Sequence, residues 1–216
     1  MWVGLGKTLA YLSVASLLAL GLLYGIAAHH RARAQAFLRE FGGLRLGEST
    51  LADAEQIARD YKGIPWYVTP DDMRCTFQDC ALAFKFENTP LSYVPFFHHT
   101  VCFGLILVKD GIVVGRQLEY ERNVPPDHYF KYLVLDSVRR SENDDVTWRL
   151  KVDQEGLAHV VEVHLSPVSS NLERKLAYSV DLSCLAKLYD CSAPSAIYPP
   201  GTPYWGPPYQ NYAPNK

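Results

Sequence analysis

The sequence predicts an α+β protein: an N-terminal transmembrane helix, a short helix packed on an antiparallel β-sheet of about six or seven strands, and a disordered Pro/Tyr-rich tail. Three observations predict this fold class. Residues 8–28 form an uncharged apolar run, and a helix that crosses a bilayer needs roughly 20 such residues. Helical spacing of apolar residues recurs after residue 50, whereas strand-like alternation recurs between residues 80 and 165. Prolines are concentrated after residue 193, where they stiffen the chain.

The composition is that of a folded protein, and the sequence divides into four segments. Hydrophobic residues make up 48% and charged residues 20% of the 216-residue chain, which excludes a wholly disordered protein. The segments are an anchor or signal peptide (1–30), a juxtamembrane helix and linker (31–46), a soluble α+β domain (47–192) and the tail (193–216). A net charge of −2 offers no basic footprint, so no nucleic-acid partner is expected.

The apolar run Thr8–Ala28 is expected to attach the protein to a membrane. It is longer than the apolar part of a secretory signal peptide, which is typically about 7–15 residues. We therefore expect an uncleaved single-pass anchor, with a cleaved signal and a secreted protein as the alternative. Gly21 and Gly25 form a G-x-x-x-G step, through which two anchors would pack as a homodimer.

The charges next to the anchor bear on its orientation. Arg31, Arg33 and Arg39 follow the apolar run within a predicted helix, residues 31–41, that ends at glycines 42–43. Positive charges favour the cytoplasmic side, so these arginines taken alone would place the C-terminal domain in the cytoplasm. Long domains are nevertheless translocated in spite of flanking charge.

The cysteines favour the opposite orientation. The five cysteines include two close pairs, for which we expect the disulfides Cys75–Cys80 and Cys184–Cys191, and Cys102 is left over. Disulfides persist in oxidising compartments, so the soluble domain is expected on the extracytoplasmic side, in the periplasm or outside the cell. Pairing of Cys102 with Cys75 or Cys80 stays open.

A helix is predicted after residue 50. Ser49 or Thr50 would cap it, and Asp53 lies where the third helical residue of a capping box stands after Thr50. Gly63 is expected to stop the helix at its C′ position.

The start and end of this helix resemble a known family. The residues that carry the resemblance are Leu46-Gly47-x-Ser49-Thr50-x-x-Asp53-Ala54 and Gly63-x-Pro65. They are similar to those of bacterial outer-membrane assembly lipoproteins of the SmpA/BamE kind, and the resemblance covers residues 46–65. It implies an envelope scaffold in which a short helix leads into antiparallel strands. Unlike that family, the chain has no cysteine at the end of its apolar run to take a lipid.

Strands are expected from residue 80 onward. Cys80–Glu87 alternates apolar and polar residues, and Val101–Glu121 reads as a hairpin around Asp110-Gly111, a strong type I′ turn signal. With a two-residue turn Leu107 faces Val114, Leu105 faces Arg116 and Phe103 faces Leu118. Further strands are expected at Tyr129–Arg139, Thr147–Val152, Leu157–Leu165 and Arg174–Val180. Asp181 is expected to cap a short helix, Leu182–Tyr189.

The candidate catalytic residues are Cys102, His98 and His99. A thiol beside an imidazole base is the arrangement of a thiol-dependent hydrolase. Cys102, however, lies inside an apolar strand, where a thiol stays protonated and inert. The spacing matches no known signature, so we expect no catalysis and keep the hydrolase as an alternative.

No metal or cofactor is expected. His159 and His164 lie five apart, on opposite faces of one strand, so they would not share a metal. The sequence has no P-loop and no dinucleotide-binding glycine motif. The tail segment Pro199–Tyr209 is a possible ligand for a protein partner. The sequence thus predicts a membrane-anchored extracytoplasmic binding or scaffold protein, with a small-ligand binder of cystatin-like or NTF2-like shape as a further alternative.

Overall fold

The α+β fold predicted from the sequence is confirmed. The structure, a computed structural model, describes residues 2–65, 75–76, 78–88, 99–124, 128–138, 147–152 and 158–187. The Pro/Tyr-rich tail, residues 193–216, lies outside the described residues. In chain order the elements are α1 (Trp2–Gly43), α2 (Leu51–Tyr61), β1 (Ile64–Pro65), β2 (Cys80–Glu87), β3 (Thr100–Lys109), β4 (Ile112–Val124), β5 (His128–Ser137), β6 (Thr147–Val152), β7 (Ala158–Leu165), α3 (Asn171–Ala177) and a 3₁₀ helix (Leu182–Leu185).

The strands form one sheet in the order β1-β2-β3-β4-β5-β7-β6. Every neighbouring pair is antiparallel except β5 and β7, which run parallel. The parallel pair, absent from the predicted antiparallel sheet, arises because β7 returns between β5 and β6. Parallel neighbours need a long crossover, and residues 138–157, which contain β6, supply it.

Helix α1 connects the apolar run to the core of the domain without interruption. Among the described residues it is the one helix long and apolar enough to cross a membrane. Its residues from 10 to 22 are exposed, whereas Phe37 and Phe41 are fully buried against the sheet. Gly104 makes this packing possible, because a Cβ there would lie 2.5 Å from Cζ of Phe37. The segment predicted as a juxtamembrane helix therefore contributes to the core.

Helix α2 begins at the predicted cap and ends just before Gly63. Thr50 is its N-cap: the Thr50 amide donates to Asp53 Oδ2 at 2.7 Å, and the Asp53 amide donates to Thr50 Oγ1 at 3.4 Å. The helix stops before Gly63, and the residue in the left-handed conformation is the C-cap Lys62, with φ 57°. A glycine is needed at 63 for another reason, since a Cβ would lie 2.5 Å from the ring of Phe84.

The β3–β4 hairpin has the predicted turn and a different register. Asp110 and Gly111 have φ values of 53° and 75°, as a type I′ turn requires. A bulge between Leu107 and Val108 shifts the pairing by one residue, so Arg116 faces Ile106 and not Leu105. A shift of one residue moves side chains to the other face of the sheet. Arg116 therefore points into the core.

The strand predicted at Arg174–Val180 is wrong, because helix α3 occupies much of this segment. A second capping box starts it: the Ser170 amide donates to Glu173 Oε2 at 2.6 Å and the Glu173 amide donates to Ser170 Oγ at 3.2 Å. Such a box satisfies two otherwise unpaired amides and decides between helix and strand. Asp181 is the predicted N-cap of the next helix. That helix is a 3₁₀ helix, Leu182–Leu185, and is shorter than expected.

Candidate functional site

The cysteine pairs were the basis for the predicted compartment. Cys75 and Cys80 form a disulfide, with Cα atoms 4.4 Å apart. Cys184 lies in the 3₁₀ helix, but Cys191 lies outside the described residues, so the second disulfide stays a prediction.

Cys102 lies in the core, and the imidazole of His99 is not beside it. Its side chain is fully buried, and burial raises the pKa of the thiol to about 12. Nε2 of His99 lies 3.6 Å from Oε2 of Glu87, whereas Cys102 pairs across the ladder with Phe86. Neighbouring residues of a strand face opposite sides, so Cys102 and His99 lie on different faces. His98 lies outside the described residues.

We expect Cys102 to resist alkylation in the folded protein. A buried thiol with a raised pKa is almost entirely protonated at neutral pH, and the thiolate is the nucleophile. Iodoacetamide at neutral pH should modify Cys102 only after denaturation, as counted by mass spectrometry of the non-reduced protein. Rapid modification of the native protein at Cys102 would restore the thiol hydrolase as a candidate.

The remaining predicted site residues do not converge in the part of the chain that the structure describes. Nε2 of His164 lies 3.6 Å from Oε2 of Glu162, and the side chain of His159 is outside the described set. Within that set no three His, Cys, Asp or Glu side chains are grouped as metal ligands. The segment Pro199–Tyr209 also lies outside it.

A groove of about 1300 Å³ lies at the C-terminal end of α1. One wall is the last two turns of α1 and the chain that follows them, the other is α3 and residues 178–180, and the end of β5 closes the groove. We call it the α1–α3 groove. Its described lining contains five cationic side chains and one anionic one: Arg39, Arg45, Arg116, Arg174, Lys175 and Glu48.

Two of the groove arginines share one buried carboxylate. Arg116 Nη2 donates to Asp136 Oδ2 at 2.6 Å, and Arg174 Nη1 donates to Asp136 Oδ1 at 3.0 Å. The side chains of Arg116 and Asp136 are 2% and 0% exposed. Charge-assisted hydrogen bonds of this kind are strong and directional. This Arg116–Asp136–Arg174 triad therefore fixes the floor of the groove.

Two further hydrogen bonds from the triad arginines link the walls of the groove. Arg116 Nη1 donates at 2.7 Å to the backbone oxygen of Phe41, near the end of α1, which also accepts from the Leu44 amide at 3.3 Å. Arg174 Nη2 donates to the backbone oxygen of Ser166 at 2.6 Å. The triad thus links α1, β4, β5 and α3.

The cationic character of the groove exceeds what its own anions balance. Asp136 offsets one of the two triad arginines, and exposed Glu48 pairs with exposed Arg45 at 3.3 Å. Arg116 lies over the ring of Tyr178, with Cζ 4.8 Å from the centroid, and its Nε has no hydrogen-bond partner in the described residues. Arg39 and Lys175 make no ion pair with another described residue. The arrangement can bind anions.

No protein-family model, curated protein or solved structure matches this chain. The resemblance of residues 46–65 to SmpA/BamE-like proteins therefore stays a prediction. Sequence reasoning missed the α1–α3 groove because its residues form no local motif.

Proposed function

We propose that the protein is a single-pass membrane-anchored binding protein of the cell envelope, with its domain on the extracytoplasmic side and the α1–α3 groove as its binding site. The observation that carries this proposal is the continuity of α1. One helix includes the candidate membrane span, the buried residues Phe37 and Phe41, and one wall of the groove.

This continuity defines how far the groove stands from the bilayer. Leu38 and Gly43, which line it, follow Ala28 by ten and fifteen residues. At about 1.5 Å per residue, the α1 wall between them lies about 15–22 Å from the end of the apolar run. A groove on a rigid helix presents its ligand at a set height, as expected of a binding or scaffold protein next to a membrane.

The cysteines support both the compartment and the absence of thiol catalysis. The Cys75–Cys80 disulfide suits an oxidising compartment. Cys102 is buried and separated from His99 by the sheet, which favours binding over hydrolysis. The arginines after the span argue for the other orientation, so the side of the membrane needs a direct test.

Impermeant thiol labelling tests the orientation. We expect a cysteine in place of Val168, which is 66% exposed, to react with an impermeant maleimide in intact spheroplasts. A cysteine in place of Val3, before the apolar run, should react only after lysis. The unsubstituted chain measures the background from its own cysteines.

The reverse labelling pattern would place the domain in the cytoplasm and overturn the proposal. Recovery of the chain without residues 1–28 in the soluble fraction would show a cleaved signal in place of an anchor. Both results concern location and leave the chemistry of the groove untouched.

A further inference from the structure

We infer that the α1–α3 groove binds an acidic peptide segment of a partner protein. The inference rests on the proposed function in taking the domain as a binding module, and it adds the chemical class of the ligand. The charge of the groove, the chemistry of its walls and its size carry the inference.

The groove holds positive charge on three sides. Arg39 stands on the α1 wall, Lys175 on the α3 wall, and Arg116 on the floor. The first two are exposed and make no ion pair with another described residue, and the third has an unpartnered Nε although its side chain is 2% exposed. Because the whole chain carries −2, this charge is a local feature of the groove.

Apolar side chains separate these cations. Leu38 and Leu44 line the α1 side, and Val138 and Val180 line the opposite side. A ligand that fits must therefore present both carboxylates and apolar groups. A peptide with acidic and aliphatic side chains has this combination, whereas an inorganic anion has no apolar part.

Size and stacking also favour a peptide. A volume of about 1300 Å³ exceeds the roughly 300–1,000 Å³ of pockets for small molecules, so a single carboxylate or phosphate would leave most of it empty. Single-stranded nucleic acid binds by stacking bases on aromatic rings. Tyr178 is the aromatic residue in the described lining, and its ring already contacts Arg116.

Fluorescence anisotropy on the full chain in nanodiscs of neutral lipid tests the inference. The probe is a short fluorescent peptide in which Glu and Leu residues alternate with Ser, and the comparison peptide carries Gln in place of Glu. We expect the Glu peptide to bind saturably, the Gln peptide to bind at least tenfold more weakly, and added salt to weaken the difference.

A matched pair of double variants locates the binding. Arg39→Gln with Lys175→Gln removes two exposed cations from the groove and should weaken the Glu peptide about tenfold. Arg59→Gln with Lys109→Gln removes two exposed cations outside it and should leave the affinity unchanged. All four side chains are exposed, so circular dichroism should show equal folding.

Each other outcome overturns the inference. Equal weakening by both double variants would mean nonspecific attraction, and equal affinity for both peptides would mean that carboxylates are not recognised. Tighter binding of a fluorescent single-stranded oligonucleotide, lost in the groove variant, would assign the groove to a polyanion. If the labelling experiment places the domain outside the membrane but the Glu peptide does not bind, the proposed location stands and the inferred ligand class is wrong.

Discussion

Replacing Asp136 by Asn should destabilise the domain by about 3–5 kcal/mol, the usual cost of removing one partner from a buried ion pair. Asp136 is the carboxylate that both Arg116 and Arg174 bind, at 2.6 and 3.0 Å. Without it the Arg116 guanidinium, 2% exposed, keeps its charge and loses its counterion. Its hydrogen bond to the Phe41 carbonyl does not replace a full negative charge.

Urea unfolding of the full chain in detergent micelles, followed by circular dichroism of the sheet, measures this loss. Glu48→Gln is the matched control, because it removes a carboxylate from the exposed pair with Arg45, and such pairs contribute at most about 1 kcal/mol. Arg174→Gln should give an intermediate loss, since the Arg174 side chain is 19% exposed. An Asp136→Asn variant as stable as Glu48→Gln would show that the triad does not hold the groove together.

The parts of the fold that depend on local signals could be predicted from the sequence. The Thr50–Asp53 capping box starts α2 where expected, and Asp110-Gly111 forms the expected turn. These features involve residues within a few positions of each other. Their conformations are therefore set mainly by their own chemistry.

Features that depend on distant partners could not be predicted. The strand that β7 pairs with depends on how all the strands of the sheet are arranged. No local sequence signal therefore indicated the parallel β5–β7 pair. The segment after residue 170 alternates like a strand at Leu176, Tyr178 and Val180, and the Ser170–Glu173 box overrides that alternation. This box was visible in the sequence and could have been recognised.

The Arg116–Asp136–Arg174 site could not be predicted because the bulge after Leu107 changes the register of the hairpin. In the register of a regular hairpin Arg116 stands opposite Leu105; in the structure it faces Ile106 and lies on the core face. Asp136 then binds Arg116, which lies 20 residues before it, and Arg174, which lies 38 residues after it. Each of the three alone reads as an ordinary solvated charge, which is why a charged site at the floor of a groove was not expected.

Replacing Phe37 by Ala should cost about 3–5 kcal/mol of folding stability, the range for truncating a buried Phe. The Phe37 ring is fully buried and has aromatic neighbours from three elements. Its centroid lies 4.7 Å from Phe84, 5.0 Å from Phe41, 5.1 Å from Phe86 and 5.6 Å from Tyr61. The substitution therefore removes a buried aromatic contact between the sheet and α1, the helix that contains the candidate membrane span.

Leu17→Ala is the matched control on the same helix. Leu17 is 69% exposed in the apolar run, so its truncation should leave the unfolding of the domain within about 0.5 kcal/mol of the unsubstituted chain. Hydrogen exchange of α1 amides near residue 37 should accelerate in Phe37→Ala and not in Leu17→Ala, since local opening follows the loss of buried contacts. If both variants behaved alike, α1 would be a tether outside the core, and the groove would have no set height above the membrane.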